Sequence, residues 1–259
     1  MLLALSAGSL IPAAPAVAAH TIRNATSTSS NWAGYVASAT GVSFSDVKGT
    51  WVQPSVTCTT GATYSSFWVG LGGYATTASQ ALEQIGTSAD CSTRGRPTYY
   101  AWYELVPSPP VRVALTVAPG NTLTGEVAVN GTAVTLTLTD VTTGKTFTTT
   151  QTVAAPDISS AEWIAEAPSA RDARSRCQVL PLANFGTVAF STASAVANGA
   201  PGALTGTAWA TDAIQLASRT GLSATPSAVG ADGASFTVAT SASAPVTPRF
   251  RWGRWGFGR

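Results

Sequence analysis

Leu123-Thr124-Gly125-Glu126-Val127-Ala128-Val129-Asn130-Gly131-Thr132-Ala133-Val134-Thr135-Leu136-Thr137-Leu138 decides the fold class. Apolar and polar residues alternate with a period of two on both sides of Asn130-Gly131. That pattern puts one face of each segment into a core and leaves the other in water. An Asn-Gly pair between two alternating runs is a strong short-range signal for a tight antiparallel hairpin.

Working outward, the same alternation appears in 49–52, 67–71, 99–105, 111–117, 146–153 and 187–190. Turn signals such as Pro119-Gly120 and Thr143-Gly144 separate these runs, so 115–153 reads as a meander of antiparallel strands. Only 161–165 and 167–173 look helical, and neither has amphipathic length. If the first is extended instead, Glu162, Ile164 and Glu166 share a face. The expected architecture is all-β, two antiparallel sheets packed face to face.

Composition agrees. Charged residues make up 10% of the 259, against about 25% in an average soluble protein. Eight Trp, eight Phe and six Tyr supply enough apolar surface to exclude a disordered chain. The net charge of +2 gives no footprint for nucleic acid. Residues 1–19 combine an apolar stretch with small residues at Ala16-Val17-Ala18 and are expected to be an export signal. Residues 20–30 read as a Ser/Thr-rich lead-in and 31–240 as one domain. The tail 241–259, with Arg, Trp and Phe among Gly and Pro, reads as disordered. No membrane contact is expected once the signal is gone, and a monomer is the default for an exported enzyme. Cys58, Cys91 and Cys177 make an odd count. We expect a Cys58–Cys91 bridge that staples the loops flanking 65–86, although connectivity does not follow from sequence alone.

Elimination narrows the chemistry. His20, the only histidine, sits at the presumed cleavage site. The remaining domain therefore has no histidine for a Ser-His-Asp or Cys-His mechanism or for an HExxH zinc site. No phosphate-binding glycine loop and no Asp-Thr-Gly or Asp-Ser-Gly pair is present, and no cofactor or metal is called for. Carboxylate, amide and aromatic chemistry remains. The glutamates are Glu83, Glu104, Glu126, Glu162 and Glu166. Glu126 reads as a solvated strand residue. Glu83 and Gln84 are neighbours on a strand and cannot line the same cleft. Trp102 and Glu104 share a face, and an aromatic groove floored with carboxylates and an amide suits an extended polymer. At this level both polypeptide and polysaccharide fit.

Seven segments in order then resemble the glutamic peptidases, or eqolisins. They are Ser30-Asn31-Trp32-Ala33-Gly34, the run Gly49 to Val56, the run Phe67 to Gly73, Leu82-Glu83-Gln84-Ile85-Gly86-Thr87, Tyr100-Ala101-Trp102-Tyr103-Glu104, Ala161-Glu162-Trp163-Ile164-Ala165-Glu166, and Phe185 to Phe190. The resemblance implies two bent sheets like those of the concanavalin-type lectins and glucanases, and a secreted acid endopeptidase acting on polypeptides. It assigns the catalytic roles to Gln84 and Glu166, with Gln53 a decoy. Trp68, Trp102 and Glu104 match residues lining the cleft, and Trp32 and Asn31 a segment beside it. In the implied reaction Glu166 takes a proton from water, Gln84 stabilises the oxyanion, and Glu166 then protonates the leaving amine.

On the resemblance, the chain departs from the fungal enzymes at Gly72 and Tyr100, where they carry Asp, and only about eleven residues separate the expected leader from Trp32, so zymogen control through a long propeptide is not expected. The loss of two cleft acids should change subsite preference or the pKa of Glu166. Glu162 is a candidate supporting acid. The competing readings are a sugar- or peptide-binding lectin-like module, an inactive relative, and a glycoside hydrolase using Glu104 with Glu166, which would need them about 5–9.5 Å apart.

Overall fold

The computed structural model describes residues 26–74, 81–171, 177–218 and 221–242. Residues 1–19, expected to be an export signal, and nearly all of the tail 241–259 lie outside the described residues. In chain order the strands are β1 (Thr26–Ser29), β2 (Trp32–Ser38), β3 (Phe44–Val52), β4 (Ser66–Gly72), β5 (Leu82–Cys91), β6 (Pro97–Val106), β7 (Val111–Arg112), β8 (Thr122–Asn130), β9 (Ala133–Asp140), β10 (Lys145–Thr152), β11 (Ser160–Glu166), β12 (Ser169–Arg171), β13 (Cys177–Val179), β14 (Thr187–Ala197), β15 (Ala200–Ala203), β16 (Ala210–Leu216), β17 (Leu222–Pro226) and β18 (Phe236–Ala242).

The hydrogen-bonded order is β10-β9-β8-β3-β14-β18-β17-β16-β2-β11-β4-β5-β6-β7. Every pairing along that path is antiparallel. β1, from the lead-in, adds to β16 in parallel. The path doubles over, so that β3, β8 and β9 lie across β4, β5 and β11 without pairing to them. The result is a two-layer sandwich with β17 joining the layers.

The space between the layers is filled by alternate residues of each strand. Trp51, Leu123, Val127, Leu136 and Leu138 meet Phe67, Val69, Leu71, Ile85 and Trp163, all fully buried. Two glycines make room for the indoles. Gly49 and Gly125 are opposite each other in the β3–β8 register. A Cβ on Gly49 would stand 2.7 Å from the Trp163 ring, and one on Gly125 3.0 Å from the Trp51 ring. The buried ring nitrogens are satisfied, by Thr87 Oγ1 at 2.9 Å for Trp51 and by the Lys48 carbonyl at 2.8 Å for Trp163.

The outer face explains the threonine-rich composition. Across β9 and β10, Thr135–Thr150, Thr137–Thr148 and Thr139–Thr146 join hydroxyl to hydroxyl at 3.0, 3.3 and 3.0 Å. Charge is not needed to keep such a surface wet.

Two expectations need correction. Residues 161–165 form strand β11, not a helix. This strand lies between β2 and β4 in the interior of the sheet, where tertiary pairing overrides the helix propensity of Ala and Glu. The strand expected over 111–117 stops at Arg112. Pro107, Pro109 and Pro110 remove ladder donors just before it. Beyond it Leu115 and Val117 drop into the core instead of extending the sheet. Cys58 and Cys91 are bridged, while Cys177 is free and exposed. Glu126 sits on the surface in an ion pair with Lys48 at 3.1 Å.

Candidate functional site

The doubled sheet has an outer face opposite the core, formed by β16, β2, β11, β4, β5 and β6. Pairing registers place specific residues in rows across it. One row runs Asp212, Val36, Glu162, Gly70, Gln84 and Glu104. The next runs Ile214, Gly34, Ile164, Trp68, Gly86 and Trp102. The third runs Trp32, Glu166, Ser66, Ser88 and Tyr100. All six residues singled out from the sequence, namely Gln84, Glu166, Trp68, Trp102, Glu104 and Trp32, therefore stand on one face.

Glu166 is the most elaborately held of them. Asn31 Nδ2 donates to its Oε1 at 3.0 Å and Trp68 Nε1 donates to its Oε2 at 2.8 Å. Asn31 is itself fixed. Ser29 Oγ donates to Asn31 Oδ1 at 3.1 Å and accepts the backbone N–H groups of Asn31 and Trp32. With its carbonyl oxygen engaged in this way, Asn31 turns its NH₂ toward the carboxylate. Trp32 packs edge-on against Trp68, with ring centroids 5.1 Å apart.

Glu166 keeps part of its surface open to the groove, yet most of its carboxyl environment is protein. Burial pushes its pKa up to about 7, and the Glu104 charge adds to the rise, while the N–H donors of Trp68, Asn31 and Trp32 oppose it.

Gln84 is buried, and its Nε2 donates to Glu104 Oε2 at 2.8 Å. An amide nitrogen carries two hydrogens, so one N–H remains for another acceptor. Gln84 Oε1 is buried without a partner. Burial raises the pKa of Glu104, and the Gln84 N–H partly offsets that. No hydrogen bond joins Gln84 to Glu166; Glu104 bonds one and acts through its charge on the other. Trp102 lies buried in the apolar floor with Trp68, Leu82, Ile164, Val36 and Ile214.

The remaining acids divide by face. Glu83 points away from Gln84, as strand alternation requires, and is fully buried. Burial moves its pKa up to about 7, with the Asp157 charge adding to the rise. Glu162, also fully buried, has neither oxygen hydrogen-bonded. Burial, then the charges of Asp157 and Glu83, raises it well above the ordinary carboxyl range.

Gly72 sits where the backbone excludes a side chain. Its φ is +87°, and a Cβ there would stand 2.5 Å from Asp157 Cβ. Asp157 instead reaches the Gly73 N–H at 3.3 Å. A hollow of about 340 Å³ opens beside Glu166, lined by Ser27, Ser29, Asn31, Trp32, Tyr74 and Ile214. Among the described residues no cluster of His, Cys, Asp and Glu could hold a metal ion.

Sequence reasoning did not find the clamp on Glu166 or the Gln84–Glu104 bond. Asn31 was visible only as part of a motif beside the cleft. Ser29 carried no signal, and the Gln84–Glu104 pairing depends on the β5–β6 register.

The geometry can be set against known proteins. The sequence matches the Peptidase A4 family over residues 30–239. The fold is similar to the crystal structure of scytalido-glutamic peptidase with a peptide-based transition state analog, with a TM-score of 0.64 and 25% identity over 82% of this chain and 98% of that one. It is similar to SCP-B, a member of the eqolisin family of peptidases in complex with the tripeptide Ala-Ile-His, with a TM-score of 0.62 and 24% identity over 82% and 98%. It also resembles aspergilloglutamic peptidase from Aspergillus niger, with a TM-score of 0.52 and 24% identity over 69% and 99%. Among curated proteins, none matches the chain.

Proposed function

The chain belongs to the Peptidase A4 family, the glutamic peptidases, and from that premise we propose that it is a secreted acid endopeptidase whose chemistry is carried by Glu166 and Gln84. Hydrolysis of peptide bonds in polypeptides is the activity of the family and of its structural neighbours. The finer assignments are ours. The observation that carries them is the carboxylate of Glu166 gripped by two N–H donors, with the Gln84–Glu104 pair beside it on the same aromatic face.

Glu166, ionised, removes a proton from a water that adds to the scissile carbonyl. Gln84 gives its second N–H to the developing oxyanion and helps to hold the water. Protonated Glu166 then delivers the proton to the departing amine. Asn31 and Trp68 aim the carboxylate in both steps. Glu104 fixes the rotamer of Gln84, which prepays the ordering cost of the oxyanion donor. Trp32, half-buried, offers the substrate backbone an apolar wall, and Trp68 and Trp102 pack beneath it in the buried floor.

In water a glutamate ionises near ~4.3, and a rate that depended on it would rise there. Burial moves that limb upward for Glu166. Its protonated form, the one needed by the leaving amine, therefore dominates through the acid range, and the ionised fraction grows as neutrality is approached. A fold that loses stability as pH rises through the same interval would confine the working range to the acid side of neutral.

We assign residues 31–240 to the catalytic domain, 1–19 to an export signal and 241–259 to a tail. The Cys58–Cys91 bridge supports an oxidising, extracellular destination. No described helix is long and apolar enough to cross a membrane.

Digestion of an unfolded protein from pH 2 to 7 tests the reading. Glu166→Gln is expected to lower kcat by about 10²–10⁴-fold, and Gln84→Ala by about 10²–10³-fold, in cleavage that pepstatin spares. A folded wild type that cleaves nothing across that range would sink it.

A further inference from the structure

The third row of the groove face ends in a group the mechanism does not use. From Glu166 the row crosses Ser66 and Ser88, whose buried hydroxyls bond each other at 3.0 Å, and reaches Tyr100. Tyr100 donates its hydroxyl hydrogen to Asp90 Oδ2 at 2.9 Å. Above the Tyr100 ring lies the guanidinium of Arg112, its Cζ 3.7 Å from the ring centroid. Arg112 belongs to β7, the two-residue strand at the edge of the sheet, opposite Trp102 and exposed.

Stacking holds a guanidinium by its face and leaves its edge of N–H donors pointing outward. Those donors close no ion pair with a protein carboxylate, although the Arg112 charge acts on Asp90. Among the described residues Arg112 forms no ion pair; the pair that is present joins Lys48 to Glu126 on β3 and β8. Asp90 is engaged elsewhere, its Oδ2 by Tyr100 and its Oδ1 by the Ser65 N–H at 3.4 Å. The neighbouring acids of the face, Glu104, Glu162 and Glu166, are raised by burial, whereas a guanidinium stays charged. This end of the groove therefore carries a fixed guanidinium charge beside Asp90, with a planar fork of donors that matches a carboxylate.

We propose that Arg112 is a specificity-determining residue of this peptidase, receiving a carboxylate of the substrate within about four residues of the scissile bond. The span follows from the row. Three strand spacings of about 4.8 Å separate Glu166 from Tyr100, which an extended polypeptide covers in about four residues of about 3.4 Å. The carboxylate is an Asp or Glu side chain or the substrate's own C-terminus. The inference rests on the peptidase reading and adds to it a substrate class.

The test uses peptides identical except for Glu or Gln at one position, walked across four residues on each side of the cleaved bond, plus free-acid and amide versions of one peptide. At pH 5 wild type is expected to favour Glu over Gln at one position by about three- to tenfold in kcat/KM, the range of a partly screened, well-oriented pair. Arg112→Gln should bring that ratio to within twofold, and Arg112→Glu should invert it in favour of Gln. Sensitivity confined to the acid–amide pair would assign the carboxylate to the chain terminus. Ratios within twofold everywhere in wild type, or a preference that survives Arg112→Gln, would overturn the proposal. Calorimetric binding of the same peptides to the Glu166→Gln and the Glu166→Gln/Arg112→Gln proteins keeps the two readings apart. If wild type cleaves nothing, the catalytic assignment fails, and the Glu–Gln difference in binding still decides the role of Arg112.

Discussion

At Glu166 two opposing effects set one number. Burial favours the neutral acid, and the N–H groups of Asn31 and Trp68 favour the anion. Because a hydrogen bond to a charged group is worth about 1.5–3 kcal/mol, removing either donor should raise the pKa by about one to two units. Asn31→Leu and Trp68→Phe are therefore expected to move the acidic limb of kcat/KM to higher pH. Glu104→Gln removes a like charge and should move that limb to lower pH, although it also loosens Gln84 and lowers kcat. A limb that stays in place in all three variants would show that Glu166 does not titrate in it. At this scale the sequence was informative about identities and silent about geometry. Gln84, Glu104 and Glu166 could be named from their segments and from the poverty of alternatives. Which nitrogen meets which oxygen depends on strand register and on Ser29, a residue with no motif of its own.

Strands repeat the contrast. The Asn130-Gly131 hairpin was legible because turn chemistry and a period of two coincide in one short window, and β8 and β9 pair through it from Leu123 to Asp140. The edge of the sheet at β7 and the extended form of β11 were not legible, because each is settled by neighbours far away in the chain. Packing then distinguishes the two faces of a strand. On the outer face of β10, Thr150→Ala deletes one hydroxyl pair with Thr135 and should cost about 0.2–1 kcal/mol. On the inner face of β8, Gly125→Ala inserts a methyl 3.0 Å from both the Trp51 ring and Val69. Overpacking of that kind costs about 1–3 kcal/mol. Urea unfolding of the two variants should separate them clearly, and equal losses would mean that the Trp51–Trp163 layer can yield.

Over the whole molecule, scarcity of charge by itself favours acid tolerance, because few carboxylates means few to protonate. The structure strengthens the argument by reversing its sign. Carboxylates with depressed pKa values lose stabilising charge as pH falls, but here the shifted acids are mostly raised. Asp46 is moved up to about 6, with burial the main cause and the Glu126 charge adding to it, and Glu83 and Glu166 are moved up to about 7. Among the described residues Asp232 alone is lowered, by hydrogen bonds from Ala234 and Ser235 in an exposed turn. A raised acid binds its proton in the folded chain at pH values where the unfolded chain has released it. The stabilisation is complete below the unfolded pKa and is lost as pH rises through the folded one. For Glu83, fully buried and moved from an ordinary 4.5 to about 7, this amounts to about 3 kcal/mol withdrawn across that interval. Glu162 pushes in the same direction and further up the scale. No described Lys or Arg pairs with either. The Tm should therefore be highest near pH 4 and below and should fall steadily through pH 7. Glu83→Gln and Glu162→Gln, which keep shape and remove the ionisation, should flatten that fall and raise the Tm at pH 7. Circular dichroism melts from pH 3 to 8 give the answer. A Tm that holds level through neutrality in the wild type would mean that the buried carboxyls have found counter-charges on folding, and would leave an acid working range without a cause in stability.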